Sequence, residues 1–214
     1  MENKIIMITG ATSGFGRAIA IELAKKGANI IATGRRKERL ELLTQEIKND
    51  QLLTLNFDVR NQSEVYEKIE LLDEKWSQID VLINNAGLAK GLDSSDKIDI
   101  DHWNEMVDTN CKGLMYVTNA VLKNMTKNNN GQIINIGSVA GTYPYFGGNV
   151  YSASKAFVHH FSLSLRADLA DKNIRVTSLE PGVAETEFSL VRFDGDKLKA
   201  KNPMKVLMQL LIRI

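Results

Sequence analysis

The chain has 214 residues, 43% of them hydrophobic, with 27 basic and 26 acidic side chains and a formal net charge of +1. That length can bury one good-sized core and lies within the range of a single α/β domain. The charges are intermixed, which argues against a nucleic-acid or membrane surface. The single cysteine, Cys111, cannot form an internal disulfide; this fits a reducing compartment, and Cys111 reads as a small helix core residue. The amino terminus offers Lys4 and then four apolar residues before Thr9-Gly10, too short for a signal peptide, and no stretch approaches a membrane span. The expectation is a cytoplasmic protein.

Apolar runs alternate with amphipathic segments from end to end. Lys4–Thr9 reads as a buried strand, and Gly14–Lys26 as a helix closed by Gly27. Ala28–Thr33 is a second strand, Arg36–Lys48 a helix and Leu52–Phe57 a third strand. Ser63 is expected to cap a helix running to Trp76, with Glu64 in its first turn. Val81–Asn84 ends a fourth strand. A long helix follows over about Asp101 to Met125, with Trp103, Met106, Val107, Asn110, Leu114, Val117 and Val121 on one side. Asn128–Gly131 is a turn and Gln132–Ile136 a fifth strand. A helix then begins near Asn149, with Ala153, Ala156, Phe157, His160, Phe161, Ser164 and Leu165 at helical spacing. Ile174–Leu179 is the sixth strand. Strict alternation of strand and helix, with near-continuous apolar strands, predicts a doubly wound parallel sheet covered on both faces. There is no repeat, low-complexity segment or linker, so one domain is expected.

Three stretches carry chemistry. The first strand runs into Thr9-Gly10-Ala11-Thr12-Ser13-Gly14-Phe15-Gly16 and then a helix. Glycines there allow a tight turn and close approach of a pyrophosphate, which sits at a helix N-terminus where N–H groups point outward. The spacing Gly-x-x-x-Gly-x-Gly is one residue longer than the usual dinucleotide fingerprint. The second strand ends in Gly34-Arg35-Arg36, where an NAD site offers an acid to the ribose 2′-hydroxyl. Two guanidinium groups suit a 2′-phosphate instead, so the cofactor expected is NADP. Asp58-Val59 is a candidate for the adenine amine, and Asn84-Asn85-Ala86-Gly87 ends the fourth strand at the same carboxyl edge. Third, Tyr151 and Lys155 are four apart and share a helix face. A phenol near a fixed ammonium is a plausible proton donor, because a nearby positive charge lowers its pKa. No metal site is expected.

Taken together, Thr9-Gly10-x-x-x-Gly14-x-Gly16, Asn84-Asn85-Ala86-Gly87, Ser138, Tyr151-x-x-x-Lys155 and Pro181-Gly182 resemble the short-chain dehydrogenase/reductases, over Ile5 to about Asp196. The resemblance implies a Rossmann-type fold and hydride transfer, which the cofactor carries while the protein orients and polarises. It implies that Tyr151 is the general acid/base and that Ser138 hydrogen-bonds the substrate oxygen. Lys155 would hold the nicotinamide ribose and lower the tyrosine pKa. Asn110 would support a water-mediated relay to Lys155, and Pro181, Gly182, Val183 and Thr186 would shape the nicotinamide site. A narrower match, through Ala32–Leu40, Asn84–Ala89, Ile134–Ser138, Tyr143–Tyr151 and Thr186–Phe193, looks like the NADP-dependent 3-hydroxy acid dehydrogenases. That group oxidises the 3-hydroxyl of short hydroxy or amino acids such as serine and L-allo-threonine, and some members reduce malonic semialdehyde. Arg192 is the candidate cation for the substrate carboxylate, while His159 and His160 read as packing and solvent positions. The alternatives are a reductase of another carbonyl, such as a 3-oxoacyl thioester, and a cofactor-binding protein without turnover.

The similarity to the family stops near Lys199, and the apolar, basic stretch Ala200–Ile214 is unlike it. The catalytic domain is therefore expected over residues 1–199, with an aberrant tail over 200–214 and the family's seventh strand missing. Back-translated codons for Pro203–Gln209 read in a neighbouring frame give Tyr-Glu-Gly-Thr-Asn-Ala, similar to what the family carries there. The expectation is a frameshift between about Lys199 and Pro203. The helices bearing Asn110 and Tyr151 form a dimer face in relatives, so a homodimer is expected, with the family's tetramer lost.

Overall fold

The computed structural model describes residues 1–182 and 187–197. Its strands are β1 (Ile5–Ile8), β2 (Asn29–Gly34), β3 (Leu52–Asn56), β4 (Val81–Asn84), β5 (Gly131–Ile136) and β6 (Ile174–Leu179). All are parallel and lie in the order β3-β2-β1-β4-β5-β6. The winding reverses between β1 and β4, and in such sheets a crevice opens at the carboxyl ends of those two strands. This is the Rossmann-type sheet that the alternation predicts. The expected tail and any seventh strand lie outside the described residues.

Side chains of β1 alternate between two cores, as a pleated strand requires. Ile6 and Ile8 join Ile30, Ala32, Leu40 and Leu43 on one face, while Met7 joins Ile31, Leu82, Ile133, Val117 and Val121 on the other. The helices over the first face are α1 (Gly14–Lys25) and α2 (Lys37–Leu43). α2 is shorter than its expected span, because after Leu43 the chain continues in turns that still bury Ile47.

Two expected helices are divided. Asn61, not Ser63, caps α3 (Gln62–Glu70), its side chain accepting the Glu64 N–H. Asp73 then accepts the Trp76 N–H and starts a separate turn, α4 (Glu74–Ser77). Leu71 in the gap is exposed, so no buried apolar contact holds one helix through it. The long central helix consists of α5 (Ile100–Val107), a π-helical segment Asp108–Gly113 and α6 (Leu114–Asn128). Met106, Leu114, Val117 and Val121 are buried as expected, but Val107 is exposed. The chain passes close to β3's end here: a Cβ on Gly113 would lie 2.7 Å from Val59 Cγ2.

The remaining helices are α7 (Asn149–Asp168) and the short α8 (Phe188–Arg192). Of the positions whose helical spacing marks α7 in the sequence, only Leu165 is buried. Tyr151, Ser152, Ser154, Lys155, Val158, Ser162 and Leu165 are buried, whereas Ala153 and Ala156 are exposed. Close packing selects small residues: a Cβ on Gly141 would lie 2.7 Å from the Lys155 carbonyl carbon. Two of the serines are bonded, Asn110 Nδ2 donating to Ser154 Oγ at 2.9 Å and Asn135 Nδ2 to Ser162 Oγ at 2.9 Å, while the Ser152 hydroxyl is buried with no partner among the described residues. Phe157 and Phe161, both half-buried, stack on each other with centroids 5.6 Å apart, and Phe161 packs against the core. Among the described residues no helix is long and apolar enough to cross a membrane.

Candidate active site

The carboxyl ends of β1 and β4 are tied by Thr9. Its hydroxyl accepts from the Asn85 N–H at 3.0 Å and the Ala86 N–H at 2.9 Å. Asn85 Nδ2 in turn donates to the carbonyls of Thr9 at 2.9 Å and Gly10 at 3.2 Å. Gly10 has φ +66°, and a Cβ on it would approach Ala86 Cα to 2.9 Å. The turn must therefore be glycine on both steric counts. α1 starts directly after it with no side-chain cap and no acidic residue in its first turn. Its N-terminal N–H groups and partial positive charge are thus left for an anion. Gly10, Thr12, Ser13, Gly14 and Phe15 line a cavity of about 830 Å³. Ala11 is buried behind that wall, and Gly16 packs too tightly for a side chain, with its Cβ position 2.5 Å from the Gly10 carbonyl oxygen.

Arg35, Arg36, Asp58 and Val59 line one end of the same cavity. Arg36 Nη2 donates to Thr12 Oγ1 at 2.8 Å and Ser13 Oγ at 2.7 Å, fixing its fork beside the glycine turn. Arg35 Nη1 lies 3.7 Å from Asp58 and 3.9 Å from Glu105. Burial alone would raise the Asp58 pKa, yet hydrogen bonds from Arg60 hold its carboxyl below the ordinary value. Asn85, Ala86 and Gly87 form the middle of the cavity wall.

Ser138, Tyr151, Lys155, Pro181 and Gly182 line the cavity too. Val183 and Thr186 lie outside the described residues. Tyr151 is buried and shares a hydrogen bond with Ser138. Burial pushes the phenol above its usual value near 10, while the Ser138 bond and the Arg192 charge pull it down. This reverses the shift expected from the sequence, and the charge that lowers the phenol is that of Arg192. Lys155 Nζ sits 6.0 Å from the Tyr151 ring centroid and donates to the Ile136 carbonyl at 2.7 Å. Burial pushes the lysine itself down to about 8. Asn110, in the π-helical segment, is pinned by Leu88: Nδ2 donates to the Leu88 carbonyl at 2.8 Å, and Oδ1 accepts the Leu88 N–H at 2.9 Å. A Cβ on Gly87 would lie 3.3 Å from Asn110 Oδ1 and 3.4 Å from Lys155 Nζ, so both groups converge on that glycine.

Arg192 reaches the cavity from α8 and is only 6% exposed. Its Nη2 donates to the Tyr145 hydroxyl. Its guanidinium carbon lies 5.2 Å from the Tyr151 ring centroid and 5.5 Å from that of Tyr145. Its Nε is buried with no hydrogen-bond partner among the described residues. Tyr145 and Phe188 complete this wall, and the sequence assigns neither of them a role; Tyr145 lies in the Tyr143–Tyr151 string and could have been found there. His159 pairs with Glu180 outside the cavity lining, and His160 is exposed. Burial pushes the Cys111 thiol up to about 11, the state of an inert structural cysteine. Among the described residues no group of three or more His, Cys, Asp or Glu side chains is placed to hold a metal.

A glycine turn opening a helix, a paired arginine end and a buried tyrosine, lysine and serine share one cavity at the sheet's reversal point. Residues 4–195 match the short chain dehydrogenase family, and the chain belongs to it. More narrowly, it is 52% identical over 198 residues to the NADP-dependent 3-hydroxy acid dehydrogenase YdfG of Shigella flexneri, covering 92% of this chain and 79% of the relative. Sulfoacetaldehyde reductase 2 of Chromohalobacter salexigens is 48% identical over 91% of this chain and 78% of its own. The closed form of serine dehydrogenase complexed with NADP+ superposes with a TM-score of 0.90 at 50% identity, over 92% of this chain and 79% of that one.

Proposed function

We propose that the protein is an NADP-dependent dehydrogenase acting on the 3-hydroxyl or 3-oxo group of a short hydroxy acid or hydroxy amino acid. Serine, L-allo-threonine and the 3-hydroxypropionate/malonic semialdehyde pair are the substrate class. The residues present fit the cofactor. The uncapped N-terminus of α1 suits its pyrophosphate, and Arg35 and Arg36 suit a 2′-phosphate. Lys155 donates one bond to Ile136, leaving two N–H groups for ribose hydroxyls. In this reading Asp58 and Val59 serve the adenine end and Pro181 and Gly182 the nicotinamide end; Val183 and Thr186 are assigned to the latter by the family resemblance alone. When bound, the nicotinamide supplies the acceptor or donor of a hydride.

The chain's own residues then handle the proton and the charge. Ser138 donates to the substrate oxygen and holds it against the Tyr151 phenol. In oxidation Tyr151 takes the hydroxyl proton as the C–H hydride leaves; in reduction it returns that proton. Lys155, with Asn110 behind it through water, passes the proton to solvent. The observation that carries the substrate class is the Arg192 Nε on the Tyr151 wall, buried with no hydrogen-bond partner among the described residues. A guanidinium with an unmet donor in a buried pocket suits a carboxylate. NADP-linked absorbance with a panel of serine, L-allo-threonine, 3-hydroxypropionate and a 3-oxoacyl thioester tests the reading. Turnover only of the thioester would overturn it, and cofactor binding with no turnover of any would favour a non-catalytic role.

A second reading is favoured by the Chromohalobacter relative: a sulfonate would satisfy the same arginine, so sulfoacetaldehyde belongs in the panel. We also infer a homodimer through the α5–α6 and α7 faces, where Val107, Met115 and Leu163 are exposed apolar residues. A monomer by light scattering would refute it.

A further inference from the structure

The cations at the adenosine end are already partly neutralised by an acid from elsewhere in the chain. Glu187, immediately before α8, lines the cavity. Its Oε2 pairs with Arg39 Nη1, and lies 3.7 Å from Arg36 Nη1. Arg36 and Arg39 stand close enough that burial, and then Arg39's charge, depress the Arg36 pKa, with Glu187 opposing them. Two guanidiniums crowded together need an anion, and in this structure a carboxylate answers them. Thr12 and Ser13 hold the rest of the Arg36 fork, so among the described residues the arm it turns toward an anion is the one near Glu187.

From this geometry we propose that Glu187 is a specificity-determining residue: it stands in the place of the cofactor's 2′-phosphate and must yield the arginines when the phosphate binds. The inference rests on the NADP reading above and adds Arg39 and Glu187 to the cofactor's recognition. A 2′-phosphate has to displace the carboxylate from Arg36 and Arg39, or else endure like-charge repulsion beside it. A 2′-hydroxyl faces neither cost, and a carboxylate can accept its hydrogen bond. Glu187 therefore narrows the preference for NADP over NAD, while the two arginines widen it. Because Glu187 is contiguous with the helix that carries Arg192, the charge that leaves the phosphate site belongs to the segment that bears the substrate's anchor.

The test is calorimetric titration of the wild-type protein and of Glu187→Gln with adenosine 2′,5′-bisphosphate and with AMP, neither of which requires turnover. Exposed arginine–carboxylate pairs are individually weak, and Glu187 makes two. Glu187→Gln should therefore bind the bisphosphate about three- to tenfold tighter, with AMP affinity unchanged or lower. The gain should shrink in high salt. Unchanged or weaker bisphosphate binding in Glu187→Gln would overturn the inference. Equal gains for both ligands would overturn it too, by showing a general loosening of the site. A wild-type protein that binds AMP as well as the bisphosphate would instead overturn the NADP reading on which the inference stands.

Discussion

Lys155→Met should make the protein without cofactor more stable at neutral pH, and the gain should fade as the pH rises. Lys155 is buried, and burial pushes its pKa from 10.5 down to about 8. A pKa displaced by one corresponds to about 1.4 kcal/mol between the charged and neutral forms. Keeping the ammonium charged below the folded pKa therefore costs the folded state about 3 kcal/mol. The sign follows from proton counting. Between about pH 8 and 10.5 the unfolded chain binds the proton that the folded chain has released, so wild-type stability rises with pH across that window. Methionine carries no charge and has no such rise. It does leave the Ile136 carbonyl without its 2.7 Å partner, a loss of about 1–3 kcal/mol that does not depend on pH. Urea unfolding of both proteins at several pH values isolates the lysine's contribution, since shared titrations cancel in the difference. The variant's advantage should fall by about 3 kcal/mol from the lower to the upper end of the window. A difference that stays flat would refute the reasoning and place the amine in contact with water. The lysine, if the slope is found, is a site residue kept at the expense of stability.

Tyr151→Phe should retain cofactor binding and the packing of the ring on Phe188, whose centroid is 5.6 Å away, while turnover falls about 10²–10⁴-fold, the usual contribution of general acid/base catalysis. A loss under about tenfold would move the proton transfer to another group, with Ser138 the first to examine. Arg35→Ala combined with Arg36→Ala should cut the NADP/NAD affinity ratio by about tenfold or more, given charge-assisted hydrogen bonds of about 1.5–3 kcal/mol. The ratio is the proper measure because Arg36 also braces Thr12 and Ser13; an unchanged ratio would mean that neither guanidinium meets the 2′-phosphate.

The sheet and the glycine turn are legible in the sequence because their signals are local. Strands buried on both faces read as short apolar runs, and Gly10 stands where both a positive φ and a close approach to Ala86 exclude a side chain. The cap of α3 is not legible, since Asn61 and Ser63 are both good caps; Asn61 Oδ1 takes the Glu64 N–H and also the Ser63 hydroxyl proton. The π-helical turn at Asn110 depends on contacts with Leu88 and Val59, which no local periodicity records. The face of α7 misleads for a related reason. Its buried side is polar and small because it must hydrogen-bond Asn110 and Asn135, so hydrophobic spacing does not single it out. The candidate site shows the same division. Tyr151 and Lys155 sit on one helix and declare their pairing, but the cation that acts on the phenol comes from α8, and the ring beneath it from the segment before α7.

That last contact makes a separable prediction about proton transfer. Burial raises the Tyr151 pKa most, and Arg192 is the one cation acting against it. Arg192→Met should therefore push the phenol higher still. Oxidation needs the deprotonated tyrosine, so the rising limb of kcat/KM against pH should move to higher pH in the variant; Arg192→Lys, which keeps the charge, should restore part of the shift. Anchoring of the substrate is read elsewhere, as a rise in KM for carboxylate substrates. The two effects interact in a definite way. A carboxylate bound to Arg192 neutralises the charge that favours the phenolate. In the wild-type protein the limb of kcat, which reports the substrate complex, should then lie above that of kcat/KM, which reports the free enzyme. In Arg192→Met the two limbs should lie closer together, because the carboxylate is no longer held beside the ring. A higher KM with both limbs unmoved would confine Arg192 to the substrate and leave the burial of Tyr151 balanced by Ser138 alone.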